Sequence, residues 1–125
     1  MKKLENLCQQ YPDAFAGEIS PRSPFPLFGF ECEDGWYDLL EPVIKFIDEF
    51  NKANPKTKIA IAQIKEKFGT LRFYTHHGTD ELYKLIHDAE TRSSETCETC
   101  GQPGKLQTAR WIYTACEAHV RTETK

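Results

Sequence analysis

The sequence predicts an α+β domain, with helices packed on a β-hairpin or small antiparallel sheet and a treble-clef-like zinc finger at the C-terminal end. Three stretches carry that reading. "DGWYDLLEPVIKFIDEFN" repeats apolar residues at helical spacing. "KTKIAIAQIKEKFGTLRFYTHH" is dense in β-branched and aromatic residues and is broken at Phe68-Gly69. "TCETCGQPGKLQTARWIYTACEAHV" spaces Cys97, Cys100, Cys116 and His119 as metal ligands. A chain of 125 residues suits one core, so 1–125 is read as a single domain with a body over 1–96 and a finger lobe over 97–125.

In chain order, Leu4, Leu7, Cys8 and Tyr11 put one apolar stripe on a short helix over 2–11, ended by Pro12. That stripe would bury the Cys8 thiol, and Cys32 beside Phe30 is read the same way. Pro21, Pro24 and Pro26 predict an extended loop, because proline fixes φ and removes backbone donors. Trp36, Leu39, Leu40, Val43, Ile47 and Phe50 share one helical face. Pro42 pushes the favoured start of that helix toward Glu41, leaving 36–40 as a preceding turn.

A two-residue hairpin turn would pair Lys67 with Thr70, Lys65 with Arg72 and Gln63 with Tyr74. It would place Lys65, Lys67, Arg72, Tyr74 and His76 on one face, and Ala60, Ala62, Ile64, Leu71 and Phe73 on the core face. A three-residue loop with a bulge would shift the register by one. After Gly78, Thr79 is the expected N-cap of a helix burying Leu82, Leu85, Ile86 and Ala89.

Three sulfurs and an imidazole suit tetrahedral Zn²⁺ and leave no position for water, so the metal is expected to be structural. Such sites supply about 10–16 kcal/mol of apparent binding energy in finger peptides. Fifteen residues separate Cys100 from Cys116, enough for two short strands. Thr114-x-x-Glu117 has the capping-box pattern and would start a helix carrying Cys116 and His119 on one face.

A formal charge of −3 argues against bulk affinity for nucleic acid or acidic membranes. No apolar run approaches the roughly 20 residues of a bilayer span. "MKKLENLCQQY" lacks the apolar segment of a secretory signal, so a cytoplasmic setting is expected. Lys65, Lys67, Arg72 and Tyr74 would form a local basic, aromatic-bearing patch able to touch phosphates, with Lys105 and Arg110 on the finger adding to it. The acids Glu31, Glu33, Asp34 and Asp38 would cover that patch in the intramolecular alternative. With His76 and His77 the same acids make a candidate hydrolytic site. The nuclease patterns are incomplete: Phe68 stands where D…E-x-K needs lysine, and no Asp-His or His-His pair lies between Cys100 and Cys116.

Taken together, "FGFECEDGWYDLL", "KEKFGTLRFY", "AETRSSETCETCGQPGKL" and "ARWIYTACEAH" resemble a small uncharacterised bacterial and bacteriophage protein family, from about Phe28 to His119. The resemblance implies a bacterial or phage intracellular setting and a zinc ribbon-like C-terminus. It also implies the ligand role of Cys97, Cys100, Cys116 and His119. The proline-rich segment and Pro42 depart from the pattern. The leading expectation is a non-enzymatic, zinc-stabilised interaction protein with a protein partner. A nucleic-acid-binding module and a hydrolase are the alternatives.

Overall fold

The expected hairpin forms the centre of the body. In the computed structural model, which describes residues 2–121, strands β1 (Phe30–Glu31), β2 (Ala60–Lys67) and β3 (Thr70–His76) make one sheet in the order β1-β2-β3. Lys67 faces Thr70, Lys65 faces Arg72 and Gln63 faces Tyr74, the register of a two-residue turn. Phe68 at φ 52° and Gly69 at φ 85° give both turn residues the positive φ that a type I′ hairpin requires.

Two details of the sheet differ from the expectation. The sheet is mixed rather than antiparallel, because Phe30 and Glu31 pair in parallel with Ile64 and Lys65. A bulge between Ile61 and Gln63 also puts Ile61, not Ala62, opposite Thr75. An extra residue at a bulge exchanges the faces beyond it. Ile61 is therefore buried in the core with Ile64, Leu71 and Phe73.

The described residues also form four helices, α1 (Asn6–Gln10), α2 (Pro24–Phe28), α3 (Tyr37–Ala53) and α4 (Asp80–Ser93). Helix α4 starts as predicted, with the Thr79 hydroxyl accepting from the Leu82 amide at 3.1 Å. It packs on β3 and α3, burying Leu82, Ile86 and Ala89. Helix α1 is shorter than expected, and Leu4 and Leu7 are buried. Cys8, however, is exposed on its outer side, against the expectation.

Helix α3 begins at Tyr37, earlier than predicted, and continues through Pro42. A 3₁₀ turn over Asp34–Trp36 leads into it. The carbonyl that Pro42 leaves unpaired belongs to Asp38, an exposed residue where water can serve it. The proline-rich segment likewise forms a helical turn, α2, instead of an extended loop. Pro24 and Pro26 lie in its first turn, where amides have no intrahelical acceptor anyway. Phe25 of that turn stacks on Phe15 at 5.4 Å and meets Phe30 edge-on at 5.2 Å.

Buried polar groups join these parts. Asn51 receives the Ile59 amide at 2.8 Å and donates to the Asp13 and Ile59 carbonyls at 2.8 and 3.0 Å. Asp48 accepts the Asp13 and Ala14 amides at 2.9 and 3.2 Å. Together they hold the N-terminal turn and the entry to β2 against α3.

The finger contains strands β4 (Lys105–Gln107) and β5 (Tyr113–Ala115), paired antiparallel, then one 3₁₀ turn over Glu117–His119. The expected α-helix at Cys116 is replaced by that turn. Thr114 is a strand residue here and spends its hydroxyl on the Gly69 carbonyl at 2.7 Å, so it caps nothing. The last four residues of the expected lobe, 122–125, lie outside the described residues.

Candidate metal centre

Cys97, Cys100, Cys116 and His119 come together, with all four potential ligand atoms within 4.8 Å of one another. The first pair sits on a tight knuckle, in which the Gly101 amide donates to the Cys97 carbonyl at 2.9 Å. The second pair sits on the 3₁₀ turn after β5, closed by the His119 amide on the Cys116 carbonyl at 3.0 Å. Spacing legible in the sequence thus becomes two loops facing each other.

The distances suit a tetrahedral ion. Bonds of about 2.3 Å to sulfur and about 2.0 Å to nitrogen would set sulfurs about 3.8 Å apart and sulfur from nitrogen about 3.5 Å. Here Cys100 and Cys116 sulfurs are 3.6 Å apart. His119 Nδ1 lies 3.6 Å from the Cys97 sulfur and 3.2 Å from that of Cys116. The four side chains lie close enough to hold a metal ion, with Nδ1 as the imidazole donor.

The backbone prepares the sulfurs for negative charge. Burial alone would raise the Cys97 thiol. Amides of Cys116, Cys100 and Thr99 more than offset that burial and bring it down to about 6. The Cys116 thiol is lowered chiefly by His119, and His119 is raised in turn chiefly by Cys116. For Cys100 the Gln102 amide favours the thiolate, but burial and the two neighbouring sulfurs outweigh it and push the thiol up. Crowded thiolates repel one another, and a divalent cation removes that repulsion.

The knuckle is set into the body through the "EDGW" segment. The Gly35 amide donates to the Glu98 carbonyl at 2.7 Å, and the Trp36 indole donates to the Thr96 carbonyl at 2.9 Å. A side chain at Gly35 would collide with the carbonyls of Cys97 and Glu98, so only glycine allows this approach. Glu98 is buried and accepts the Glu33 amide at 3.0 Å. Burial, then the charges of Glu33 and Glu66, push its carboxyl up to about 7 although that amide opposes the shift. This socket had a sequence signal, a Gly-Trp pair among acids, but nothing local said what it would hold.

The second attachment is at the hairpin tip. Leu106 and Ile112 of the finger close over Gly69, where the Ile112 Cγ2 stands 3.1 Å from the position a Cβ would occupy.

Of the other predicted site residues, the basic group shares one face, whereas the histidines and acids of the hydrolytic alternative do not converge. Lys65, Lys67, Arg72 and Tyr74 share the face of the sheet opposite the core, with Glu31 beside Lys65 and bonded to Gln63 at 3.1 Å. Glu31 thus borders this patch, but among the described residues ion pairs reach Lys2, Lys52 and Arg92 and none reaches Lys65, Lys67 or Arg72. Lys105 opens β4 and Arg110 lies in the loop before β5. Asp34 is bonded to the Leu4 amide at 3.0 Å and Asp38 to Lys2 at 2.9 Å. His76 and His77 stand at the far end of β3, about 13 Å along the strand from the level of Glu31. Cys32 is half-buried, and burial raises its thiol strongly, so it is a poor nucleophile.

Compared with protein-family models, curated proteins and solved structures, the chain matches none of them. Fold and site therefore define the class directly: an α+β domain whose C-terminal hairpin is tied to the body beside a Cys₃His cluster. No helix among the described residues is long and apolar enough to cross a membrane.

Proposed function

We propose that this chain is a non-catalytic, zinc-stabilised protein-interaction module working in a bacterial or phage-infected cytoplasm. The observation that carries the reading is the Cys₃His cluster, whose four potential ligand atoms lie within 4.8 Å of one another, close enough to serve a tetrahedral ion. A closed shell of soft donors favours zinc and leaves no open position for a substrate or an activated water. The order knuckle, hairpin, turn supports a short treble-clef-like finger. The zinc's role is to lock the finger against the Gly35–Trp36 socket. The separation of the histidines from the acids favours binding over hydrolysis.

The test joins metal analysis to capture. Purified protein is expected to carry one zinc per chain, and the zinc-loaded form to be cross-linked to a protein of a bacterial lysate that the chelated form does not retain. A fully folded chain without metal would defeat the structural part. Phosphatase or nuclease activity abolished by changing His76 or Asp34 would defeat the non-catalytic part.

One observation favours a second reading. Lys65, Lys67 and Arg72 stand on the open sheet face with Tyr74 and no ion-pair partner among the described residues, as a phosphate-contacting patch would. Salt-sensitive binding of single-stranded DNA or RNA, lost in Lys65→Glu, is the measurement that would establish it.

A further inference from the structure

The three thiols of the metal cluster are not equally placed. Cys97 is fully buried, with the Gly35 backbone set against its carbonyl. Cys100 and Cys116 are only partly buried. A surface cavity of about 500 Å³ opens on the second loop, with Pro103, Gly104, Lys105, Ala115, Cys116 and Val120 in its lining. Of the four ligand residues it reaches Cys116 alone. A small solute therefore has a route to Cys116 that it lacks to Cys97.

Distance then selects a partner for Cys116. Its sulfur lies 3.6 Å from that of Cys100, across the gap between the 3₁₀ turn and the knuckle. A disulfide needs about 2.05 Å, so the pair has to close by roughly 1.5 Å. The spacing Cys97-x2-Cys100 alone would suggest a different bond, inside the knuckle. Burial of Cys97 argues against that bond, because oxidation follows exposure as well as thiolate character. As metal ligands all three sulfurs are thiolates, so access is what separates them.

We infer that Cys116 and Cys100 are an oxidisable pair, which a hydroperoxide converts into a disulfide with loss of the metal, while Cys97 is left as a thiol. This rests on the structural-zinc reading above, and it makes retention of the ion conditional on reducing surroundings. The Cys116 thiolate attacks one peroxide oxygen, an S–O bond forms and the O–O bond breaks, giving a sulfenic acid and hydroxide. The Cys100 thiolate then attacks the Cys116 sulfur, the S–S bond forms, the S–O bond breaks and a second hydroxide leaves. Each hydroxide takes a proton from solvent to become water. Two electrons have passed from the sulfurs to the peroxide oxygens. Cys97 and His119 alone remain as ligands, half of a tetrahedral set. A dithiol reverses the change by exchange, becoming a disulfide itself as Cys100 and Cys116 regain their thiols.

The test treats the zinc-loaded Cys8→Ser chain, which lacks the exposed thiol outside the cluster, with hydrogen peroxide. Released metal is read with a chromogenic chelator, and the new bond by mass spectrometry after alkylation of the remaining thiols. Trypsin cuts after Lys105 and Arg110, so a Cys100–Cys116 bond joins two peptides, whereas a Cys97–Cys100 bond lies within one. The expected result is loss of the bound zinc in step with a disulfide from Cys100 to Cys116 and an alkylated Cys97. Dithiothreitol followed by added zinc should restore the full zinc content. Zinc retained while the same peroxide oxidises free glutathione, a bond that includes Cys97, or metal loss without a disulfide would overturn the inference. Metal content before peroxide is added separates this from the underlying reading. A folded chain that holds no zinc and takes up none would remove the structural zinc, and the oxidisable pair with it.

Discussion

Phe68 and Glu98 show how single residues here are placed against their own preference. A side chain in the left-handed region costs roughly 1 kcal/mol relative to glycine-like residues, and Phe68 recovers little of it because its ring is in solvent. Phe68→Asn is therefore expected to raise the thermal midpoint of the zinc-loaded protein, and a lowered midpoint would show that the ring supports the fold. Glu98 is the opposite case, a carboxyl held in the body at about 7 against an ordinary 4.5. The folded chain binds that proton more tightly than the unfolded chain does. Its contribution is full below the unfolded carboxylate range and is lost as pH rises through about 7. Glu98→Gln should consequently stabilise the zinc-saturated protein at about pH 8 and change it far less at about pH 5. Equal effects at both pH values in denaturant titrations would contradict this.

At the scale of elements, the finger and the body share their attachments. The indole of Trp36 opens helix α3 and at the same time holds the strand leading into the knuckle. Trp36 is fully buried, whereas Trp111 is exposed at the finger tip. Because the chain has two tryptophans, Trp111→Phe leaves Trp36 as the sole indole reporter. Stripping the metal from that variant with a chelator should shift its emission to the red as the socket loosens. Emission unmoved after complete metal removal would mean that the knuckle holds its place without an ion. Ladder register belongs to this scale too. Phe68-Gly69 marked the break between the strands but allowed two registers, and the structure selected the two-residue turn that pairs Lys65 with Arg72. The bulge at Ile61–Gln63 left no such mark, because nothing in "IAIAQIK" distinguishes one alternating apolar register from the next.

For the whole molecule, the question is whether 97–121 is a lobe with its own stability or a part of one cooperative unit. Gly35 against Glu98 and Thr114 against Gly69 both cross the boundary, and Trp36 holds Thr96 immediately before it. Their loss would strip the body of partners for buried groups, each costing about 1–3 kcal/mol. Calorimetry of the zinc-loaded chain is thus expected to show one unfolding transition. Two transitions, with the lower one removed by chelation, would instead make the finger an independent lobe.

What the sequence determined by itself was whatever rests on local chemistry: the four ligands and their spacing, the Thr79 cap, the turn at Phe68-Gly69 and the apolar stripes of α3 and α4. These depend on residues a few positions apart, where geometry follows directly from dihedral preference and helical or strand period. Only the tertiary structure decided that Phe30–Glu31 would lie parallel to β2, that Thr114 would bond Gly69 rather than cap a helix, and that the acids before Trp36 would frame a socket for the knuckle. Each of those is a choice among partners dozens of residues away. No local propensity encodes such a choice, because it is settled by which arrangement buries Trp36 and satisfies the backbone groups around it.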